Sequence, residues 1–252
     1  MGCCCSEFKV KEIYYVLDHI NKGRFDYALN IIKAIPKLMN EIHRVYDCIP
    51  NASDNYMCTC FGNKSPYRNE ELKMTFNFID MKTHVEKIKD RFNKANINYS
   101  IKDNNITVNI GENFTLLYVF CLYIFFVSVC EDNKISHVFD RKTLIEIVIF
   151  LCINSDINRT LADKNGNTPL HLLACTSEVT LITLLTHTDY CDVKKRNVPH
   201  PIYTPMYAIL NNKSQSPIIL ASLNNNDNVI ECFNELIDSF KKAEEPNKIV
   251  VS

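Results

Sequence analysis

Leu116 to Cys130 reads LLYVFCLYIFFVSVC, a run of 15 residues without a charge. Glu112 precedes it and Glu131-Asp132 follows it. A helix that spans a bilayer needs about 20 apolar residues, and runs of roughly 10–14 are more often helices buried in a protein core. This run falls between the two, and its acidic borders cut it short. It therefore needs either a membrane or neighbours on nearly every side, because a helix that is apolar all round has no face to offer to water.

The rest of the chain has the balance of a folded soluble protein: 46% of its 252 residues are hydrophobic and 23% are charged. That length allows one elongated domain or two small ones with a sizeable core. A formal net charge of −1 gives no reason to expect nucleic acid as a partner, since such binding relies on excess Lys and Arg. Glu7, Lys9, Lys11 and Glu12 interrupt the first apolar stretch after Met1, so no secretory signal is expected. Of the 12 cysteines, Cys121, Cys130, Cys152, Cys175 and Cys232 stand inside apolar runs. There they should act as small buried hydrophobes in a reducing, cytosolic setting. The sequons at Asn51 and Asn105 are then accidents of an Asn-rich composition.

Residues 7–47 show helical spacing. Phe8, Ile13, Val16, Leu17 and Ile20 form one stripe, Gly23 a break, and Tyr27, Ala28, Ile31, Ile32 and Ile35 a second stripe. Two antiparallel helices are the simplest reading. Residues 48–69 carry loop chemistry, with Pro50, Gly62 and Pro66. Residues 70–110 change character. Lys73–Ile79 alternates like a strand, Met81–Ala95 has the pattern of a charged helix, and Tyr99–Lys102 with Ile106–Ile110 flank a hairpin turn at Asp103-Asn104-Asn105. A β-α-β-β unit and an irregular insertion both fit. From 111 to 240 the chain is rich in helix, and 241–252 reads as a polar tail.

Asp163-Lys164-Asn165-Gly166-Asn167-Thr168-Pro169-Leu170-His171-Leu172-Leu173-Ala174 resembles the signature of the ankyrin-repeat family, whose core is Gly-x-Thr-Pro-Leu-His-x-Ala. Val179, Ile182, Leu184 and Leu185 then stand where that family places its second helix, and Cys191-Asp192-Val193 resembles its closing loop. One full repeat is expected at 163–195. Ser216–Ser222 and Asn228–Ile237 resemble a second copy, although Thr204-Pro205-Met206-Tyr207-Ala208 also resembles a repeat start only 12 residues before Ser216. Upstream, Gly111–Tyr118 keeps the outline of the motif without its Pro and His, and Leu144–Ile153 would be its partner helix. The resemblance implies a mainly α fold of stacked helix pairs over 111–240, preceded by a small α or α+β region. It gives Leu116–Cys130 a soluble home as a first helix between neighbours. It also implies a protein partner, contacted through Lys164, Asn165, Asn167, Leu172 and Thr176, with His171 tying adjacent loops together.

Met1-Gly2-Cys3-Cys4-Cys5-Ser6 fits the pattern for N-myristoylation at Gly2, with Cys3, Cys4 and Cys5 available for palmitoylation. One myristoyl chain binds a membrane only marginally and a second acyl chain makes the anchor durable. The expected address is the cytosolic face of a membrane, in a eukaryotic cell or in one invaded by the bacterium that delivers the protein as an effector. His43, Cys48, Cys58 and Cys60 could ligate a metal, but a lone Cys-x-Cys pair is too tight for a usual zinc site. No phosphate loop, dinucleotide fingerprint or nucleophile elbow occurs, so no cofactor is expected. The sequence reading is a membrane-tethered adaptor or host-directed effector. Its rivals are an enzyme housed in residues 7–110 and a small integral membrane protein.

Overall fold

The apolar run becomes a helix with protein on every side. In the computed structural model this helix covers Leu116–Asp132, and all 15 residues from Leu116 to Cys130 are buried. Thr115 caps it by accepting the backbone N–H of Tyr118 at 3.2 Å. Among the described residues no helix is long and apolar enough to cross a membrane. The described residues are 16, 19, 24–34, 72–77, 84–102, 105–111, 115–133, 140–153, 157–195 and 204–244. The acylation motif Gly2, Cys3, Cys4 and Cys5, the loop 48–69, and the metal candidates His43, Cys48, Cys58 and Cys60 lie outside them.

The fold is mainly helical with one small sheet. In chain order the elements are α1 (Phe25–Ala34), β1 (Leu72–Asn77), α2 (Val85–Lys94), β2 (Tyr99–Lys102), β3 (Asn105–Gly111), α3 (Leu116–Asp132), α4 (Arg141–Ile153), α5 (Pro169–Ala174), α6 (Val179–Lys195), a single 3-10 turn (Met206–Ala208), α7 (Pro217–Leu223) and α8 (Asp227–Glu244). The sheet order is β1-β3-β2, with β3 antiparallel to both neighbours. Strands β1 and β2 therefore run parallel at the two edges, joined through α2, and the hairpin strand β3 fills the space between them. The period-2 pattern is visible in burial: Ile106, Val108 and Ile110 are buried, and Asn105, Thr107 and Asn109 only partly so.

The buried face of the sheet meets α3. Phe76 of β1 stacks on Phe126 with ring centroids 3.9 Å apart, and meets Tyr123 edge-on at 5.2 Å. Phe92 of α2 meets Phe125 edge-on at 5.3 Å. Helices α4 and α5 close the other sides of α3. From there the helices form two layers. In one, α3, α5 and α7 follow each other; in the other, α4, α6 and α8 do, and each pair packs on the next. Arg141 of α4 joins Glu131 of α3 to Glu178 before α6. Helix α1 packs on α4 through buried Ala28, Leu29 and Ile32.

Several sequence expectations need correction. Tyr27, placed on the buried face of α1, is 62% exposed, and Leu29 is buried there. Cys191-Asp192-Val193 do not form a closing loop. They lie within α6, which runs through to Lys195 because no Gly or Pro interrupts it. Of the two candidate helix starts, Thr204–Ala208 forms only one 3-10 turn, and the helix begins after Ser216. Helix α8 continues past residue 240 to Glu244.

Phe126→Ala removes a ring held between Phe76 and Phe92 and should destabilise the chain by about 3–5 kcal/mol. Ile153→Ala, at a position 64% exposed, should change stability by no more than about 0.5 kcal/mol. Urea unfolding of the two variants beside the parent chain checks both expectations.

Candidate functional site

Two loops of the same construction lie side by side at one edge of the helix layers. The first runs from Asp163 to Thr168, and the second from Asn211 to Ser216, 48 positions later. In the first, Asp163 Oδ1 accepts the backbone N–H groups of Asn165 and Asn167 at 2.9 and 2.8 Å. In the second, Asn211 Oδ1 accepts those of Lys213 and Gln215 at 2.9 and 3.0 Å. The Asp163 N–H donates to the Asn167 carbonyl, and the Asn211 N–H to the Gln215 carbonyl. Gly166 is left-handed at φ 78°, and its counterpart Ser214 at φ 58°. Thr168 and Ser216 then stand at the N-caps, followed by Pro169 and Pro217 in the first turn of α5 and α7. A short polar side chain that accepts its own loop's amides is what lets six residues turn so sharply without leaving donors unpaired.

The loops bind one another. Asn212 N–H donates to the Asn165 carbonyl at 2.9 Å, and the Asn212 amide to the Lys164 carbonyl at 2.9 Å. A β-carbon at Gly166 would stand 2.8 Å from Asn212 Oδ1 and 2.9 Å from its N, so the close approach requires glycine there. The Asn211 amide donates to Asn167 Oδ1 at 3.0 Å. On the other side, the first loop meets the turn after α2: the Asn98 amide donates to Asn165 Oδ1 at 2.7 Å, and the Asn167 amide to the Asn96 carbonyl at 3.0 Å. Carboxamides supply both donor and acceptor, which suits them to a ladder of this kind.

His171 is the bolt between the repeats. Its Nδ1 accepts the Thr168 N–H at 3.1 Å, and its Nε2 lies 3.1 Å from the Gln215 carbonyl. The second contact requires a proton on Nε2, so the ring is the neutral Nε2–H tautomer. Burial of the ring lowers its pKa to about 4. Asp163 is buried too, and burial raises its pKa against the opposing effect of the Tyr118 hydroxyl, which donates to Oδ2 at 2.6 Å. Both oxygens of Asp163 are thus occupied by internal donors, and the carboxyl fastens the loop to α3.

Four of the five residues expected to touch a partner are inside the protein. Asn167, Leu172 and Thr176 are essentially inaccessible, and Asn165 is buried by the Asn96 and Asn98 contacts. Leu172 belongs to the core between the layers, and Thr176 donates to the Leu173 carbonyl at the end of α5. Lys164 alone of the five is exposed. The accessible ridge is instead formed by Asn98, Lys164, Asn212, Lys213 and Ser214. Asn211–Ser216 carries neither Gly nor Thr-Pro, so its sequence does not resemble the first loop. The signal was there in another spelling, a short polar residue five places before Ser-Pro. Among the described residues no three or more His, Cys, Asp or Glu side chains converge as metal ligands would. Comparison with protein-family models, characterised proteins and solved structures finds no match for this chain.

The histidine sets a pH dependence. An unfolded histidine titrates near 6.5 and folded His171 near 4. Between these values the unfolded chain holds a proton that the folded chain does not, so its contribution is complete above pH 6.5 and is lost as pH falls toward 4. Asp163 acts in the opposite sense, adding stability below its unfolded pKa of 3.8 that is lost as pH rises through its higher folded value. From pH 7 to pH 5 His171 should cost about 2 kcal/mol of unfolding free energy. Urea titrations at the two pH values should show that loss in the parent chain and a smaller one in His171→Gln.

Proposed function

We propose that this chain is a protein-binding scaffold of ankyrin type, not an enzyme, whose exposed loop ridge contacts a partner. The observation that supports this most is the loop–helix–turn–helix unit that recurs 48 positions apart with the same hydrogen bonds in both copies. Internal bonding fixes each loop's backbone, so the tip side chains are held out without a folding cost on binding, which favours affinity. Lys164, Lys213 and Ser214 then present two ammonium groups and a hydroxyl along one edge, beside Asn98 and Asn212, whose amides donate to the first loop. That chemistry suits a polar protein surface with exposed carbonyls and carboxylates. The acylation pattern of Gly2 with Cys3, Cys4 and Cys5 adds a membrane address to this reading: a scaffold that gathers its partner at the cytosolic face of a membrane.

Lys164→Glu combined with Lys213→Glu reverses the charge of the ridge at two exposed positions. Proteins retained from a eukaryotic lysate by the parent full chain should be lost by this variant, with circular dichroism unchanged. If the parent retains nothing above a control, the scaffold reading fails; if the variant retains the same proteins, the ridge is not the surface.

In a eukaryotic cell, Gly2→Ala should release the protein into the cytosol almost completely. Replacing Cys3, Cys4 and Cys5 with Ser should leave weak, reversible binding spread over internal membranes. Fractionation of the two variants beside the parent decides the matter. Undiminished membrane association of Gly2→Ala would exclude the acyl anchor.

A further inference from the structure

The two repeats are related position by position, so the way the second covers the first shows what the second leaves uncovered. His171 and Cys175 of α5 are buried, and both meet the second repeat, His171 at the Gln215 carbonyl and Cys175 at the Asn224 amide. Thr183 of α6 meets Cys232 of α8. Moving each of these 48 places along the chain gives Ile219, Leu223 and Glu231. All three are exposed, Ile219 by 44% and Leu223 by 43%. Ile182, wholly buried, becomes Ile230, only partly covered. Helix α7 packs on α5, α8 and the 3-10 turn, and α8 packs on α6 and α7. The outer face of a capping repeat is polar, and this face instead exposes isoleucine and leucine.

One stripe of α8 is formed by Asp227, Ile230, Glu231, Asn234, Glu235 and Asp238, an open acidic surface around one isoleucine. Lys241 stands 3.9 Å from Asp238. Asp227, Glu231 and Glu235 have no ion-pair partner among the described residues. In the turn before α8, Asn224 is buried with Oδ1 lacking a hydrogen-bond partner, at the place where the first repeat has Thr176. The carbonyl of Thr176 accepts the Asn226 amide from the second repeat.

We infer that this terminal face of α7 and α8 docks a basic amphipathic helix from another protein, whose apolar side covers Ile219, Leu223 and Ile230 and whose lysines or arginines face the carboxylates of α8. The inference goes beyond the loop ridge: it is a separate surface, on the end of the array. Charge selects the occupant. A two-fold pairing with a second copy would set the same four carboxylates against each other, which opposes association. A head-to-tail copy would need a free matching surface at the start of the layers, and there the sheet covers α3 and α1 packs on α4. A helix with cationic and apolar stripes answers both parts of the face at once.

The test measures fluorescence anisotropy of a labelled four-turn model helix of leucine and lysine, added to the full chain at physiological salt, beside its leucine–glutamate counterpart. The lysine peptide should bind and the glutamate peptide should not. Ile219→Gln with Leu223→Gln should weaken binding about tenfold, and Glu231→Gln with Glu235→Gln by a similar factor. Tyr27→Gln with Ile153→Gln, exposed apolar positions elsewhere, should leave it unchanged. Lys164→Glu with Lys213→Glu should also leave it unchanged, which separates this surface from the ridge. Absence of lysine-peptide binding, equal binding of both peptides, or indifference to the end-face variants overturns the inference. So does a parent chain that sediments as a dimer and dissociates with Ile219→Gln and Leu223→Gln, or peptide binding that emerges only after residues 245–252 are removed.

Discussion

A helix without a polar side dictates the rest of this architecture. Leu116–Cys130 buries every residue, and no single partner can cover a cylinder on all sides. The chain meets the demand with four elements of three kinds: a sheet through Phe76, a charged helix through Phe92, and the two helices α4 and α5. The small sheet and the helix pairs are therefore parts of one core. Aromatic rings do much of this packing, in stacked and edge-on contacts that add to the area they bury.

The second constraint is polar. Tight loops leave backbone donors and acceptors that water would otherwise satisfy. Here they are satisfied by side chains with both functions, Asn96, Asn98, Asn165, Asn167, Asn211 and Asn212, arranged as a ladder from the turn after α2 to the second loop. An asparagine-rich composition, which looks like noise in the sequence, is structural along this line. Asn165 and Asn167, bonded on both sides, are buried, and that is why these two residues, expected from the sequence to meet a partner, are unavailable to one.

Patterns set by a period were legible before the fold was known. The strand, the charged helix and the hairpin of residues 72–111 follow from alternation and helical spacing, and Asp163–Ala174 from its turn chemistry. Three things were not legible. The length of α6 through Cys191–Lys195 depends on the absence of a breaker, which a motif match overrode. The second loop hides because Asn211 and Ser214 replace Asp and Gly at positions where backbone geometry, not residue identity, is repeated. The exposed ridge depends on which amides turn inward, and pairwise contacts between residues about 70 apart in the chain decide that.

The bonds from Arg91, Asn96 and Asn98 into the first repeat make the array directional. Arg91 donates to the Cys175 carbonyl at 2.9 Å, and Asn226 holds the neighbouring carbonyl of Ala174 from the opposite side. The first repeat is tied to α2 and the turn after it, while the outer face of α7 and α8 exposes Ile219 and Leu223. Helix pairs of this kind cannot be lifted out as a cassette, since their first loop would lose the groups that order it. Any change in chain length between the turn after α2 and Asp163 would have to keep these bonds or rebuild the junction at once.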